Sequence, residues 1–173
     1  MYSTNYNDLY VEMEYYSYLT IHELFLYGNL TYNQWIDIFN RIKFIIDDLK
    51  KYRLSDESIQ QSLEEIYLTK TMQRLDTMKK NKIFNPFFEN SFSVNGIKYI
   101  SLNKISEMLE NFIPKILYDT EELNIIHGDL CFSNIMVDSN FTFIKVIDPR
   151  GKFGKYDIYG DPKYDLAKLF QLS

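Results

Sequence analysis

His127-Gly128-Asp129-Leu130-Cys131-Phe132-Ser133-Asn134 runs directly into Ile135-Met136-Val137, turns at Asp138-Ser139-Asn140 and returns through Phe141 to Ile147, ending at Asp148-Pro149-Arg150-Gly151. Two apolar runs joined by such turn residues read as a short antiparallel hairpin. A hairpin brings the chain back to its start, so Asn134 and Asp148, at its two open ends, are expected side by side. Asp129 precedes Asn134 by five residues, on the loop that feeds the same hairpin. Three oxygen-bearing side chains converging in this way suit a hard divalent cation. Mg²⁺ takes one or two protein oxygens and fills its remaining positions with phosphate and water. A carboxylate beside it can accept a proton from a substrate hydroxyl.

Downstream, Gly160-Asp161-Pro162-Lys163-Tyr164-Asp165-Leu166-Ala167 opens a helix, with Asp161 as N-cap and Pro162 at the first helical position. Upstream, residues 8–16 are β-branched and aromatic and read as one strand, and a short helix is expected through Thr20 to Tyr27, ending at Gly28. Thr31 and Gln34 form a T-x-x-Q capping box. Behind it, Trp35, Ile38, Phe39, Ile42, Ile45, Ile46 and Leu49 repeat at helical spacing and predict an amphipathic helix over about 32–51. Ser55, followed by Asp56 and Glu57, is read as the cap of a second helix, and Asn85-Pro86 as its break. Asn95-Gly96 marks a hairpin within 91–100. A third helix is expected over about 103–118, kinked or shortened by Pro114.

Composition narrows the function classes. The 173 residues suffice for one domain with a real core, and 46% hydrophobic against 25% charged residues marks a globular chain. A net charge of -5 argues against a general nucleic-acid binder, which needs a basic face for phosphates. No stretch approaches the roughly 18 apolar residues of a membrane span. The N-terminus has no secretory-signal pattern, and one cysteine, Cys131, excludes an internal disulfide. A reduced, cytoplasmic protein is expected. The 15 Tyr and 13 Phe, set against one alanine, are the skew that an AT-rich coding genome would produce and are not read as a stacking platform. Cys131 reads as a small buried apolar residue. Arg150 is left between a salt bridge and a contact to a substrate anion, while Lys70 and Arg74 read as a solvated helix face.

Singly, Asp129, Asn134 and Asp148 are ordinary turn residues. Jointly, His127-Gly128-Asp129, then Asn134, then Ile147-Asp148-Pro149, then Gly160-Asp161-Pro162-Lys163-Tyr164-Asp165 resemble the aminoglycoside phosphotransferase and choline kinase family. The resemblance is specific over about residues 124–170. It implies an α+β fold of the protein-kinase-like C-terminal-lobe type, mostly helical with a short catalytic β-hairpin. It divides the single domain 1–173 into a last strand and hinge (1–16), a helical part (17–123), and the catalytic loop, metal-site hairpin and following helix (124–173). The implied activity is Mg²⁺- and ATP-dependent phosphoryl transfer to the hydroxyl of a small molecule such as an aminoglycoside, choline, ethanolamine or a sugar. Asp129 would be the catalytic base, Asn134 and Asp148 the Mg²⁺ ligands, and His127 and Asp165 structural supports. The backbone near Glu14, Tyr15 and Tyr16 would face adenine.

The departures from the pattern are informative. Gly128 stands where protein kinases carry an Arg that pairs with a phosphorylated activation loop, which favours a small-molecule kinase. Pro149 replaces the Phe that follows the metal Asp in protein kinases. The Asp148-Pro149-Arg150-Gly151 variant is also similar to kinase-like proteins encoded with capsule or surface-polysaccharide genes. The fold's N-terminal lobe, with its glycine-containing phosphate loop and strand Lys, is largely absent: no lysine precedes the hinge and the first glycine is Gly28. A partner or that lobe is expected to cover the interlobe face. The alternative is a catalytically silent kinase-like binding or scaffold module.

Overall fold

A computed structural model describes residues 2–5, 8–11, 14–117 and 120–171. Strands β1 (Tyr2–Asn5) and β2 (Asp8–Val11) pair antiparallel, with Asn5 opposite Asp8. The single strand expected over 8–16 is thus corrected. Strand β2 is described as far as Val11, Glu12 and Met13 lie outside the described residues, and Glu14 to Tyr18 belong to no strand.

Strand β3 (Leu19–Thr20) leads into helix α1 (Ile21–Tyr27), which a capping box between Thr20 and Glu23 starts. Helix α2 (Tyr32–Leu49) starts on the Thr31–Gln34 capping box and buries Ile38, Ile42 and Ile46 at four-residue spacing. It ends two residues before the expected Lys51.

Strand β4 (Arg53–Leu54) precedes α3 (Ile59–Glu64), a π-helical turn (Glu65–Thr69) and α4 (Lys70–Lys79). Ser55 does not cap α3; Ser58 takes that position, without a side-chain cap bond. The cause is Asp56, whose carboxylate accepts the Ser58 N–H (2.8 Å), the Ser58 hydroxyl and the Tyr156 hydroxyl (2.8 Å). This side-chain turn competes with helix and delays its start.

The same bonds, led by the Ser58 hydroxyl, hold the Asp56 carboxyl down at about 2. A depressed carboxyl contributes stability above its unfolded value of 3.8 and loses it as pH falls through about 2. Asp56→Asn is therefore expected to melt below the wild type at neutral pH, and the two melting temperatures to converge between about pH 4 and pH 2. A gap that persists unchanged to the acid end would contradict this account of the turn.

Pro86 does not simply break a helix; it lies in the first turn of a new one, α5 (Asn85–Glu89), where its missing N–H leaves no bond unmade. Strands β5 (Phe92–Val94) and β6 (Ile97–Tyr99) pair across Asn95 and Gly96, at φ 51° and 81°. Two consecutive left-handed residues match the twist of the flanking strands, which Asn-Gly provides at least cost. Helix α6 (Leu102–Leu117) runs on through Pro114 to Leu117.

The remaining elements are β7 (Leu123–Ile125), β8 (Ile135–Val137), β9 (Ile144–Val146), β10 (Tyr159–Gly160) and α7 (Pro162–Phe170). They complete two antiparallel sheets, ordered β3-β8-β9 and β10-β7-β4. The architecture is α+β, mostly helical with small antiparallel sheets. No helix among the described residues is long and apolar enough to cross a membrane.

Two buried clusters organise these elements. One joins α1, α2 and β8 through Ile21, Ile38, Ile42, Ile46, Ile135 and Val137. The other joins α3, α6 and β7 through Ile59, Leu63, Leu117, Leu123 and Phe153. The segment 126–134 is strung between them, with Ile126 in the second and Leu130 and Phe132 in the first. Each buried side chain of this kind contributes roughly 2 kcal/mol of transfer free energy. The polar residues on this loop are therefore held at fixed points between the two cores.

Candidate active site

Gly128 is the pivot. Its φ of 78° lies in the left-handed region, and a Cβ there would stand 2.8 Å from Cβ of Arg150. The chain approaches so closely because the Arg150 N–H donates to the His127 carbonyl at 2.9 Å. Glycine meets both demands.

Beneath this crossing, Asp165 of α7 accepts the His127 N–H on Oδ2 at 2.7 Å and the Gly128 N–H on Oδ1 at 2.8 Å. Asp165 is 2% exposed. Burial raises its carboxyl above the ordinary range, and the two N–H bonds act against that rise. The start of α7 is fixed in turn by Asp161, which accepts the Lys163 N–H at 2.9 Å, with Pro162 in the first turn. His127 is buried; its Nδ1 accepts the Asp129 N–H at 3.4 Å, and its Nε2 has no partner among the described residues.

Beyond Asp129 the chain closes a 3₁₀ turn over Phe132–Asn134, with the Asn134 N–H on the Cys131 carbonyl at 2.9 Å. That turn returns the Asn134 side chain to Asp129. Nδ2 donates to the Asp129 carbonyl at 2.9 Å and to its Oδ2 at 3.3 Å. Lys168 of α7 reaches the other carboxylate oxygen, with Nζ 2.9 Å from Oδ1. Both oxygens of Asp129 are thus engaged, one from each side.

The hairpin supplies Asp148. Ile135 lies opposite Val146, and the Ile147 N–H donates to the Asn134 carbonyl at 3.0 Å. Asp148 follows directly, at φ 56°, where a residue with a Cβ costs about 1–2 kcal/mol. Its carboxylate has no hydrogen-bond or ion-pair partner among the described residues. Gly128, Asp129, Asp148, Pro149, Arg150 and Lys168 line one cleft of about 360 Å³. Arg150 makes no salt bridge among the described residues; it donates to the Tyr164 hydroxyl at 2.8 Å.

The other sequence candidates lie elsewhere. Glu14 and Tyr15 are exposed, and neither they nor Tyr16 line the cleft. Tyr16 donates to Glu14, accepts from Lys145 of β9 at 3.0 Å and lies under that ammonium, 4.7 Å from the ring centre. Cys131 is buried beside the Ser133 hydroxyl. A larger apolar groove, about 710 Å³ between α1, α2 and α7, is walled by Phe25, Trp35, Phe39, Phe132 and Leu169 and carries none of these groups.

The residues present fit Mg²⁺. Asn134 spends its amide N–H on Asp129 and keeps Oδ1 as a hard oxygen donor, while the Asp148 carboxylate is unpartnered. No cluster of three or more His, Cys, Asp and Glu with metal-holding geometry exists among the described residues. Mg²⁺ needs none, because phosphate and water complete its shell.

Lys168 was not singled out by the sequence. The signal for it was its place three residues after Asp165, which puts both on one helix face. Comparison of the chain with protein-family models, with curated proteins and with solved structures finds no match.

Proposed function

We propose that this chain is the catalytic lobe of an ATP- and Mg²⁺-dependent phosphotransferase acting on a hydroxyl of a small molecule. In this reading the fold is of the protein-kinase-like C-terminal-lobe type, as in the aminoglycoside phosphotransferase and choline kinase family. The observation that carries the reading is the convergence of Asp129 and Asp148 on one cleft while Asn134 holds Asp129.

Asp129 is the base. Its two oxygens each hold one donor and keep further lone pairs for a substrate hydroxyl, whose proton it accepts. Asn134 and Asp148 would hold Mg²⁺, which when bound neutralises charge on the nucleotide phosphates. Asp165 and His127 fix the loop from below, so that the base keeps its place without reorganising during transfer. The backbone at Glu14 to Tyr16, beside β9, is assigned to adenine. Arg150 adds positive charge to the same cleft, suited to a phosphate donor.

The experiment is transfer of labelled γ-phosphate from Mg-ATP to an aminoglycoside, choline, ethanolamine and a hexose. Label is expected in at least one acceptor. No label in any, together with no Mg-nucleotide binding, would favour the second reading, a silent binding or scaffold module. The observation on that side is the apolar groove, where Phe25 and Phe170 are 52% and 86% exposed.

A further inference from the structure

One face of α7 meets the loop at two points three residues apart. Asp165 takes the backbone N–H groups of His127 and Gly128, and Lys168 takes the carboxylate of Asp129. Residues three apart on a helix are neighbours, so loop backbone and loop side chain are set from a single rigid element. That element is itself capped by Asp161 and anchored by Asp165, which is 2% exposed.

The Lys168–Asp129 pair is not an ordinary surface ion pair. Its side chains are 25% and 39% exposed, and Lys168 reaches Oδ1 while Asn134 reaches Oδ2. Exposed lysine pairs contribute little because both side chains must be ordered for one contact. Here the carboxylate is already held on its other oxygen, so the ammonium completes its orientation. Both groups line the cleft that also holds Asp148.

We propose that Lys168 is a positioning residue for Asp129: from α7 it clamps Oδ1 opposite Asn134 and so fixes the direction in which the carboxylate meets a hydroxyl in the cleft. The role rests on the phosphoryl-transfer reading of that cleft. A reacting group displaced by about 1 Å loses on the order of a hundredfold in rate, so the clamp has a measurable consequence. Hydrogen bonding to Asp129 also holds the Lys168 ammonium above its ordinary value, consistent with a persistent contact.

The test uses the whole chain with Lys168→Met and Lys168→Arg. Two quantities are read: the rotamer state of Asp129, by NMR on protein with ¹³C-labelled aspartate, and the rate of γ-phosphate transfer from Mg-ATP. In Lys168→Met the Asp129 side chain is expected to average between rotamers, and the rate to fall roughly a hundredfold with Mg-ATP affinity unchanged. Lys168→Arg keeps the charge and the donor, so it is expected to restore a single rotamer and most of the rate. A single rotamer with an undiminished rate in Lys168→Met would overturn the inference. So would rotamer averaging without a rate change, or a rate loss with the rotamer intact, the mark of direct contact with the donor. A wild type that binds no Mg-ATP and transfers no phosphate, yet shows a Lys168-dependent rotamer, would instead overturn the functional reading and leave only the structural contact.

Discussion

Asp129→Ala is expected to reduce phosphoryl transfer by about 10³-fold or more while leaving Mg-ATP affinity within about twofold of wild type. A positioned general base is worth about 10² to 10⁴ in rate, and Asp129 is the carboxylate here held by two donors and open to the cleft. The groups assigned to the metal are Asn134 and Asp148, which this substitution leaves in place. The fold is expected to survive it. Lys168 loses an anion but is 25% exposed, so water can solvate its ammonium. Transfer rate and nucleotide affinity, measured on the same preparation, separate the two effects. Turnover retained in Asp129→Ala would remove Asp129 from the role of base.

Asp165→Ala is expected to be the most destabilising polar substitution in the loop region. It leaves the N–H groups of His127 and Gly128, both buried, without their partner. An unsatisfied buried donor costs about 1–3 kcal/mol, so the pair costs roughly 2–6 kcal/mol. Against a total stability of about 5–15 kcal/mol, that is a large share. For a chain of this size it corresponds to a drop in melting temperature of roughly 4–24 °C. Urea and thermal melts check it. Stability within about 0.5 kcal/mol of wild type, the range of ordinary surface substitutions, would mean that Asp165 does not hold the loop.

What was legible in the sequence is what local chemistry decides. The pairing of 135–137 with a later apolar run, the capping box at Thr31, the Asn95-Gly96 turn and the Asp161-Pro162 helix start each follow from residues within a few positions of one another, although the return strand begins at Ile144 and not at Phe141, which is left-handed. At the open end of the hairpin the residue opposite Asn134 is Ile147, whose N–H it accepts, and Asp148 comes one position further on. The misreadings have equally physical causes. β-branched and aromatic content alone points to a strand over 8–16, yet Glu14 to Tyr16 are in none, because such content does not decide whether a segment finds a pairing partner. The Ser55 cap fails because Asp56 turns back on Ser58 two residues on, a competing local bond, and is held there by Tyr156, 100 residues later.

Strands β4, β7 and β10 are two or three residues long and too short to show a period; they exist because the tertiary fold brings them together. Lys168 was hidden for the same reason. Its partner Asp129 is distant in sequence, and only the docking of α7 under the loop joins them.

Asp148 and Asn134 are proposed to form a Mg²⁺-nucleotide site beside Asp129. Isothermal titration with ATP, with and without Mg²⁺, on the wild type and on Asp148→Asn tests it most directly. Binding is expected to require Mg²⁺ and to be lost in Asp148→Asn, whose neutral amide replaces the Asp148 carboxylate, unpaired among the described residues. No binding at millimolar nucleotide, or binding indifferent to both Mg²⁺ and Asp148, would contradict it.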